Sequence, residues 1–251
     1  MAIAETGLEN KFPEREFRRQ TPLIVTLEDE RAMEINIVGT RAANLARLRG
    51  YPDIEVPSAF VVTTGLGDEV FQINPKIKER VERLDKFSNE WIKAKLTEDE
   101  NGAEIWEQLA NDEGGDLRRD ILDVDFLPGT VGQISSAYDK LSQRAEKSNG
   151  VCVKISWPLD DLEELHFPGF DNVRGKKEVM DAIVDCFFSQ FGKDVTGWRN
   201  ALRLTIAQQE MQKGTPMKDA LTASKGLSHM ESKMAIVVQE MGKVTAVAGW
   251  S

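Results

Sequence analysis

The sequence predicts an α/β fold, in which helices cover a sheet. Residues 151–156 (VCVKIS) form a largely alternating apolar run that is typical of a strand. Residues 23–27 (LIVTL) form a second, shorter run that favours a strand. In contrast, Ala42, Leu45 and Leu48 are spaced three residues apart within a segment of good helix formers, which predicts a helix.

The composition is typical of a soluble globular protein. Of the 251 residues, 41% are hydrophobic and 29% are charged, and the formal net charge is −10. This length allows one large domain or two smaller ones. Since an acidic surface repels nucleic-acid phosphates and anionic membranes, neither is an expected partner. Residues 1–20 lack the apolar core of a signal peptide, so we expect a cytoplasmic protein.

Cysteine and histidine are too sparse to predict a zinc-type centre. The chain has Cys152, Cys186, His166 and His229, without a C-x-x-C pair or a cluster of these residue types. Both cysteines lie in apolar segments. We therefore expect buried free thiols and no metal site built from these residues.

The rest of the chain divides into a charged arm and a long folded region. Residues 1–21 are charged and irregular, and we expect a flexible arm or a terminal helix there. Residues 65–125 are rich in charged helix formers and predict a helical insertion, with loops at residues 101–102 and 112–116. Residues 134–141 carry one apolar helical face.

The segment from residue 151 to residue 173 combines a strand, an acidic turn and a tight loop. The strand carries Lys154, four carboxylates lie between residues 160 and 165, and residues 167–170 read Phe-Pro-Gly-Phe. A strand that delivers a lysine to such a loop presents a cation to phosphate in many nucleotide sites. The alternative is an ordinary strand with one outward-facing lysine beside a solvated acidic turn.

Gly39 and Arg41 form a second candidate anion site. A glycine before a helix lets the backbone approach an anion closely, and free N–H groups in the first turn, with Arg41 nearby, would favour phosphate. The alternative is a simple glycine turn beside a solvated arginine.

These segments match family patterns residue by residue. The patterns are V-G-G-K-x-A-N-L-x-x-L, V-P-x-G-F-V-V-T-T, V-A-V-R-S-S-A-T-A-E-D-L-P-x-A-S-F-A-G-Q and A-V-V-V-Q-x-M-V. The matching residues include Val38, Gly39, Ala43, Asn44, Leu45, Val56, Pro57, Phe60, Thr63, Val151, Val153, Ser156, Asp161, Gly169 and Gln239. In order and spacing the chain resembles the amino-terminal ATP-binding domain of the phosphoenolpyruvate synthase, pyruvate phosphate dikinase and rifampicin phosphotransferase family.

The resemblance implies the amino-terminal part of an ATP-grasp-like domain with a mixed sheet, over residues 22–251. It implies ATP as the ligand, with Arg41 and Lys154 on the phosphates. It further implies that the loop of residues 156–169 closes over them and that residues 237–241 flank adenine. The residues carried over as ATP-binding are Gly39, Arg41, Lys154, Ser156, Asp161, Gly169 and Gln239.

The chain departs from the family pattern at several positions. Arg41 replaces a lysine and Lys154 an arginine, which keeps the charges but changes their reach. Thr40 replaces a glycine. Trp157 and Phe170 replace a small and a polar residue. If these two bulky side chains plug the phosphate pocket, the chain is a catalytically inactive relative that acts as a binding or scaffold module.

The motifs of the family's second half are missing from this sequence. The D-P-x-T-G loop, the G-L-G-E segment and the late E…Q-x-R motif have no counterpart before Ser251. Since those motifs supply Mg²⁺ ligands in the family, Mg²⁺ is expected with ATP, but not on residues of this chain. No catalytic residue is assigned. We therefore expect the chain alone to hold ATP for a phosphoryl transfer that the remaining domains of a larger enzyme, or a protein partner, complete.

Overall fold

The computed structural model describes residues 21–122, 124–144, 150–157, 168–231 and 233–241. Within these ranges the strands are β1 (Ile24–Thr26), β2 (Ala59–Val62), β3 (Val151–Ser156), β4 (Gly169–Val173) and β5 (Ala235–Glu240). The α-helices are α1 (Ile35–Leu48), α2 (Gly65–Ile73), α3 (Pro75–Leu96), α4 (Glu100–Leu122), α5 (Pro128–Arg144), α6 (Lys176–Ser189), α7 (Lys193–Gln212) and α8 (Met217–Ala223). The α/β class predicted from the sequence is confirmed.

The described strands form one sheet in the order β1-β2-β5-β3-β4. All the neighbouring pairs in it are antiparallel, so the expectation of a mixed sheet is wrong for these strands. β2 and β3 run in the same direction, but β5 enters between them and pairs with both. Because paired residues in a ladder share a face, the register assigns each side chain to one of two faces.

Helix α1 covers one face of the sheet. Its contact with the strands is made mainly by small residues, which let a helix approach a sheet closely. They include Ala42, Ala43 and Ala46 of the helix and Val25, Ala59, Val61, Ala235 and Val237 of the strands. On the same face, Cys152, Lys154 and Gln239 are only half-buried, so α1 leaves that part of the face open.

The opposite face supports the main hydrophobic core. Phe60, Val153 and Val238 point to this side, where helices α2 to α7 contribute apolar side chains. Helix α6 packs an apolar stripe against the sheet, and the residues of this stripe are all buried in this core. They are Val179, Ala182, Ile183, Cys186 and Phe187, followed by Phe191 just after the helix.

The region between residues 65 and 122 is helical, but the loop predicted at residues 112–116 is wrong. Helix α4 continues through it without interruption. Gly114 lies where α4 meets the chain just after α6, and a methyl group on it would stand 2.7 Å from the carbonyl oxygen of Phe191. The glycine that indicated a loop is instead required by close packing. Residues 101–102 likewise lie in the first turn of α4.

Some expectations fall outside the described residues. They are the arm up to residue 20, the acidic turn around Asp161 and most of the loop of residues 156–169. Among the helices in the part of the chain that is described, none is long and apolar enough to cross a membrane.

Candidate functional site

Gly39 forms a sharp turn inside α1. Its backbone angles are φ 73° and ψ 169°, whereas the residues on both sides are helical. A methyl group at this position would lie 2.2 Å from the carbonyl oxygen of Ser156, far inside van der Waals contact. The positive φ and this close approach both favour glycine. The turn therefore lies directly on the carboxyl end of β3.

The end of β3 accepts hydrogen bonds from the helix that starts after this turn. The N–H of Ala42 donates to Ser156 Oγ at 3.0 Å, and the N–H of Thr40 donates to the carbonyl oxygen of Trp157 at 3.0 Å. Ser156 thus caps a helix that is distant in the sequence. Two of the N–H groups that were expected to be free for phosphate are consequently occupied by the protein itself.

Lys154 and Gln239 share the open part of the α1 face. In the β3–β5 ladder, Lys154 lies opposite Val237 and Cys152 lies opposite Gln239. Diagonal neighbours of this kind are about 7 Å apart, within reach of long side chains. The sheet therefore brings two of the predicted residues together, and Ser156 lies on the same face, at the end of the strand next to α1.

Lys154 is held only loosely. Its Nζ lies 3.4 Å from Asp171 Oδ1, and the two side chains are 42% and 60% exposed. A solvent-exposed ion pair of this kind contributes about 0–1 kcal/mol. Gly169 lies opposite Lys154 in the ladder, and a methyl group on it would be in ordinary contact, 3.5 Å from the lysine Cε. Glycine at position 169 leaves space beside the lysine, but the backbone conformation there does not demand a glycine.

Arg41 lies in the first turn after Gly39, and its side chain is exposed. Within the described ranges it forms no ion pair. Since Thr40 is bonded to Trp157, Arg41 starts close to the end of the strand that carries Lys154. The fold thus brings the backbone of Arg41 to the end of β3, two residues after Lys154, while Asp161 lies outside the described residues.

Trp157 and Phe170 do not occupy this face. Trp157 is fully buried in the main core, edge-to-face with Trp198 at 5.3 Å between ring centroids. Phe170 lies opposite Val153 and packs against the same core. Trp157 and Phe170 therefore cannot plug a phosphate pocket on the face that carries Lys154, because both point to the other side of the sheet.

Cys152 is the remaining half-buried side chain on this part of the face. Burial raises the pKa of its thiol, and this effect outweighs the attraction of the nearby Lys154 charge. The protonated thiol is a poor nucleophile. Both cysteines are free thiols, as predicted, but only Cys186 is buried, whereas Cys152 is half-buried beside Lys154.

The structure contains a buried polar cluster behind Trp157 that the sequence did not predict. The guanidinium of Arg199 lies 5.1 Å from the Trp157 ring centroid, and its Nη1 donates to the carbonyl oxygen of Ser228 at 3.2 Å. Arg203, one turn further along α7, donates through Nη2 to Asn89 Oδ1. An arginine in a sequence predicts an exposed side chain, and the only sequence signal was the resemblance of residues 198–199 to a family Y-R pair.

Asp85 and His229 complete this cluster. Asp85 Oδ1 accepts from the backbone N–H of His229 at 2.7 Å and contacts its Nδ1 at 2.9 Å. Burial, together with the nearby charge of Arg199, lowers the pKa of His229 to about 4. The imidazole is therefore neutral at pH 7, and its contact with Asp85 is a hydrogen bond to a carboxylate rather than an ion pair.

Known protein sequences match most of the chain. Residues 35–249 match the family described as the pyruvate phosphate dikinase AMP/ATP-binding domain. A rifampicin phosphotransferase from Streptomyces sp is 24% identical over 223 residues, which cover 87% of this chain and 21% of the relative. The chain thus spans about a fifth of that relative's length. Since the family match runs from α1 to beyond β5, the protein belongs to the family of the pyruvate phosphate dikinase AMP/ATP-binding domain.

Proposed function

We propose that the chain binds the phosphates of ATP on the open part of the α1 face, as the nucleotide-binding portion of a dikinase-type phosphotransferase. The observation that carries this proposal is the contact of the Gly39 turn with Ser156. This contact joins two distant parts of the sequence, since Ala42 and Ser156 are 114 positions apart. It holds the start of the helix that carries Arg41 against the end of the strand that carries Lys154. The backbone segments that carry these two cations therefore meet, in a chain of net charge −10.

The side-chain cations, rather than a backbone cradle, would carry the phosphate contacts. Thr40 and Ala42 already donate their N–H groups to β3, which removes two donors from the helix start. Lys154 can leave its exposed partner Asp171 at little cost, because such pairs are weak. Arg41 would bind phosphate oxygens through its planar fork. Affinity should therefore depend strongly on these two side chains.

Gln239 would contact the base. Its amide offers both donors and an acceptor, and it lies on the same face as Lys154 at the more open end of β5. Adenine presents a matching donor and acceptor on its edge. The family match to an AMP/ATP-binding domain supports an adenine nucleotide as the ligand.

The described residues contain no side-chain cluster that would by itself form a magnesium site. Within the described ranges, no group of three or more His, Cys, Asp and Glu side chains is placed to hold a metal ion. We therefore assign no step to a metal held by these residues. The rifampicin phosphotransferase matches this chain over about a fifth of its own length. For the whole protein we propose phosphoryl transfer from ATP, and we leave the acceptor unassigned.

Calorimetric titration with ATP tests the nucleotide site. We expect saturable binding to the unmodified chain, with Mg²⁺ present, and an increase in Kd of at least about tenfold for the double variant Arg41→Ala, Lys154→Ala, since hydrogen bonds to charged groups contribute about 1.5–3 kcal/mol each. The matched control is Arg47→Ala, Lys177→Ala, which makes the same change in charge at exposed positions on α1 and α6.

The control variant should bind ATP as the unmodified chain does. Equal affinity of both double variants would show that the bound phosphates are elsewhere, and absence of binding by the unmodified chain at millimolar ATP would contradict the proposal for this chain.

A further inference from the structure

Two arginines of α7 are buried with incomplete hydrogen bonding. Arg199 is 0% exposed and Arg203 is 2% exposed. Among the described residues, Arg199 Nε and Nη2 and Arg203 Nε and Nη1 have no hydrogen-bond partner. Buried donors of this type are nearly always satisfied in folded proteins. The cluster therefore has unused capacity for an acceptor.

Asp85, the carboxylate beside these arginines in the described part of the chain, does not supply that acceptor. Asp85 Oδ1 accepts from His229, and Asp85 Oδ2 accepts from the backbone N–H of Met230 at 3.1 Å. Burial lowers the pKa of Arg199 only to about 10, so the guanidinium stays charged at neutral pH. With His229 neutral, the cluster carries two positive charges against one negative charge.

A cavity of about 550 Å³ opens onto the Arg203 end of this cluster. Arg203, Asp85, Asn89 and Ser228 line its inner part, and the lysines at positions 86 and 225 lie at its wall. Glu82, Glu90 and Glu231 also line it, and Glu90 is paired with Lys93 at 2.6 Å. The wall is thus mixed in charge, and Arg203 is the buried positive group in it.

We propose that this cavity binds a small oxyanion, such as a phosphate group, on the guanidinium of Arg203. Arginine suits such an anion because its planar fork can give two parallel hydrogen bonds to adjacent oxygens. The volume exceeds that of inorganic phosphate, so the same chemistry fits either a free anion or the phosphate group of a small organic molecule. This site is separate from the proposed ATP site, since it lies in the helical layer on the other side of the sheet from Lys154.

Calorimetric titration with inorganic phosphate tests the site, with sodium chloride at equal ionic strength as the reference. It is performed on the variant Arg41→Ala, Lys154→Ala, in which the proposed ATP site is disabled. We expect saturable binding there, and at least about a tenfold weaker Kd when Arg203→Met is added, because two charge-assisted hydrogen bonds are lost. Arg119→Met, an exposed arginine on α4, is the matched control and should leave the Kd unchanged.

A second titrant distinguishes the two sources of the oxyanion. Tighter binding of glycerol 3-phosphate than of inorganic phosphate identifies the phosphate of an organic molecule, and the reverse order identifies a free anion. Both require Arg203. Phosphate binding that Arg203→Met leaves unchanged, or no binding in the variant that lacks Arg41 and Lys154, overturns the proposal. If Arg203→Met does not fold, crystals soaked in selenate decide: an anomalous peak beside Arg203 supports the site, and its absence overturns it.

Discussion

Gly39 lies directly against Ser156, and this contact depends on the absence of a side chain. A methyl group on Gly39 would stand 2.2 Å from the carbonyl oxygen and 2.5 Å from the Oγ of Ser156. The same residue adopts φ 73°, a conformation that residues with a Cβ rarely take. The junction that positions Arg41 beside β3 therefore tolerates only glycine without movement of the backbone.

Gly39→Ala should destabilise the chain by roughly 3 kcal/mol, since it adds a backbone strain of about 1–3 kcal/mol to a clash with a fixed carbonyl group. Urea unfolding followed by circular dichroism measures the change. The matched control is Gly132→Ala in α5, where a methyl group meets nothing within 4 Å. That variant should gain about 0.5–1 kcal/mol from better helix propensity. Equal stabilities of the two variants would contradict this account of the junction.

The local sequence patterns correctly predicted the strand and the helix that form the candidate site. Gly39, Lys154, Ser156 and Gln239 were identified by resemblance, and the structure places them at one junction or on one face of the sheet. The expected mixed sheet was wrong because strand pairing is set by contacts between distant segments. β5 pairs with β2 and β3 only after a long helical stretch, and nothing local to residues 235–240 specifies those neighbours.

The buried cluster was not predictable in the same way. Arg199 and Arg203 lie four residues apart on α7, a spacing that suits one exposed polar face as well as one buried face. Burial is decided by what packs against the helix, here Trp157 and the α3 residues Asp85 and Asn89. Only three-dimensional packing shows that these arginines face inward.

Gly114 and Gly115 should respond to alanine in opposite ways. Both lie within α4, but a methyl group on Gly114 would stand 2.7 Å from the carbonyl oxygen of Phe191, whereas one on Gly115 meets nothing within 4 Å. Gly115→Ala should stabilise the chain by about 0.5–1 kcal/mol through helix propensity. Gly114→Ala should destabilise it by about 1–3 kcal/mol, because it overpacks a helix contact. Thermal unfolding of both variants measures the difference, and stabilisation by Gly114→Ala would refute the packing role.

Arg80 should be the principal electrostatic contact between α3 and α4. Its Nε lies 2.6 Å from Asp120 Oδ2, and its Nη1 lies 2.8 Å from Glu113 Oε1 and 2.9 Å from Asp116 Oδ2. The Arg80 side chain is only 16% exposed. Arg80→Met would leave the three carboxylates with only the more exposed cations Lys76, Arg83 and Arg119, and we expect the free energy of unfolding to fall by about 2 kcal/mol.

Chemical unfolding of Arg80→Met at low and high salt provides the measurement. Salt screens the repulsion among the remaining carboxylates, so the loss should shrink as ionic strength rises. The control is Lys78→Met, which removes an exposed pair with Glu82 on the same helix and should change stability by less than about 0.5 kcal/mol. If Arg80→Met and Lys78→Met lower the free energy of unfolding equally, the ion pairs of Arg80 do not stabilise the contact between α3 and α4.

His229 should make the stability of the chain depend on pH between about 6.5 and 4. Burial and the charge of Arg199 lower the pKa of His229 from 6.5 to about 4, so in this window the unfolded chain binds a proton that the folded chain does not. Stability is then full above the unfolded pKa and falls as the pH is lowered. The expected loss between pH 7 and pH 5 is about 2 kcal/mol.

The variant His229→Asn isolates this contribution. The asparagine amide can replace the imidazole Nδ1–H as the donor to Asp85, but it does not titrate. Unfolding by urea at pH 7 and pH 5 should therefore show a smaller loss in the variant, by about 2 kcal/mol, even if the variant is less stable at pH 7. Other groups, including Asp85 itself, titrate below this window or equally in both proteins, so they cancel in the difference. Parallel pH profiles of the two proteins would mean that His229 is protonated in the folded state, and that the two arginines do not hold it neutral.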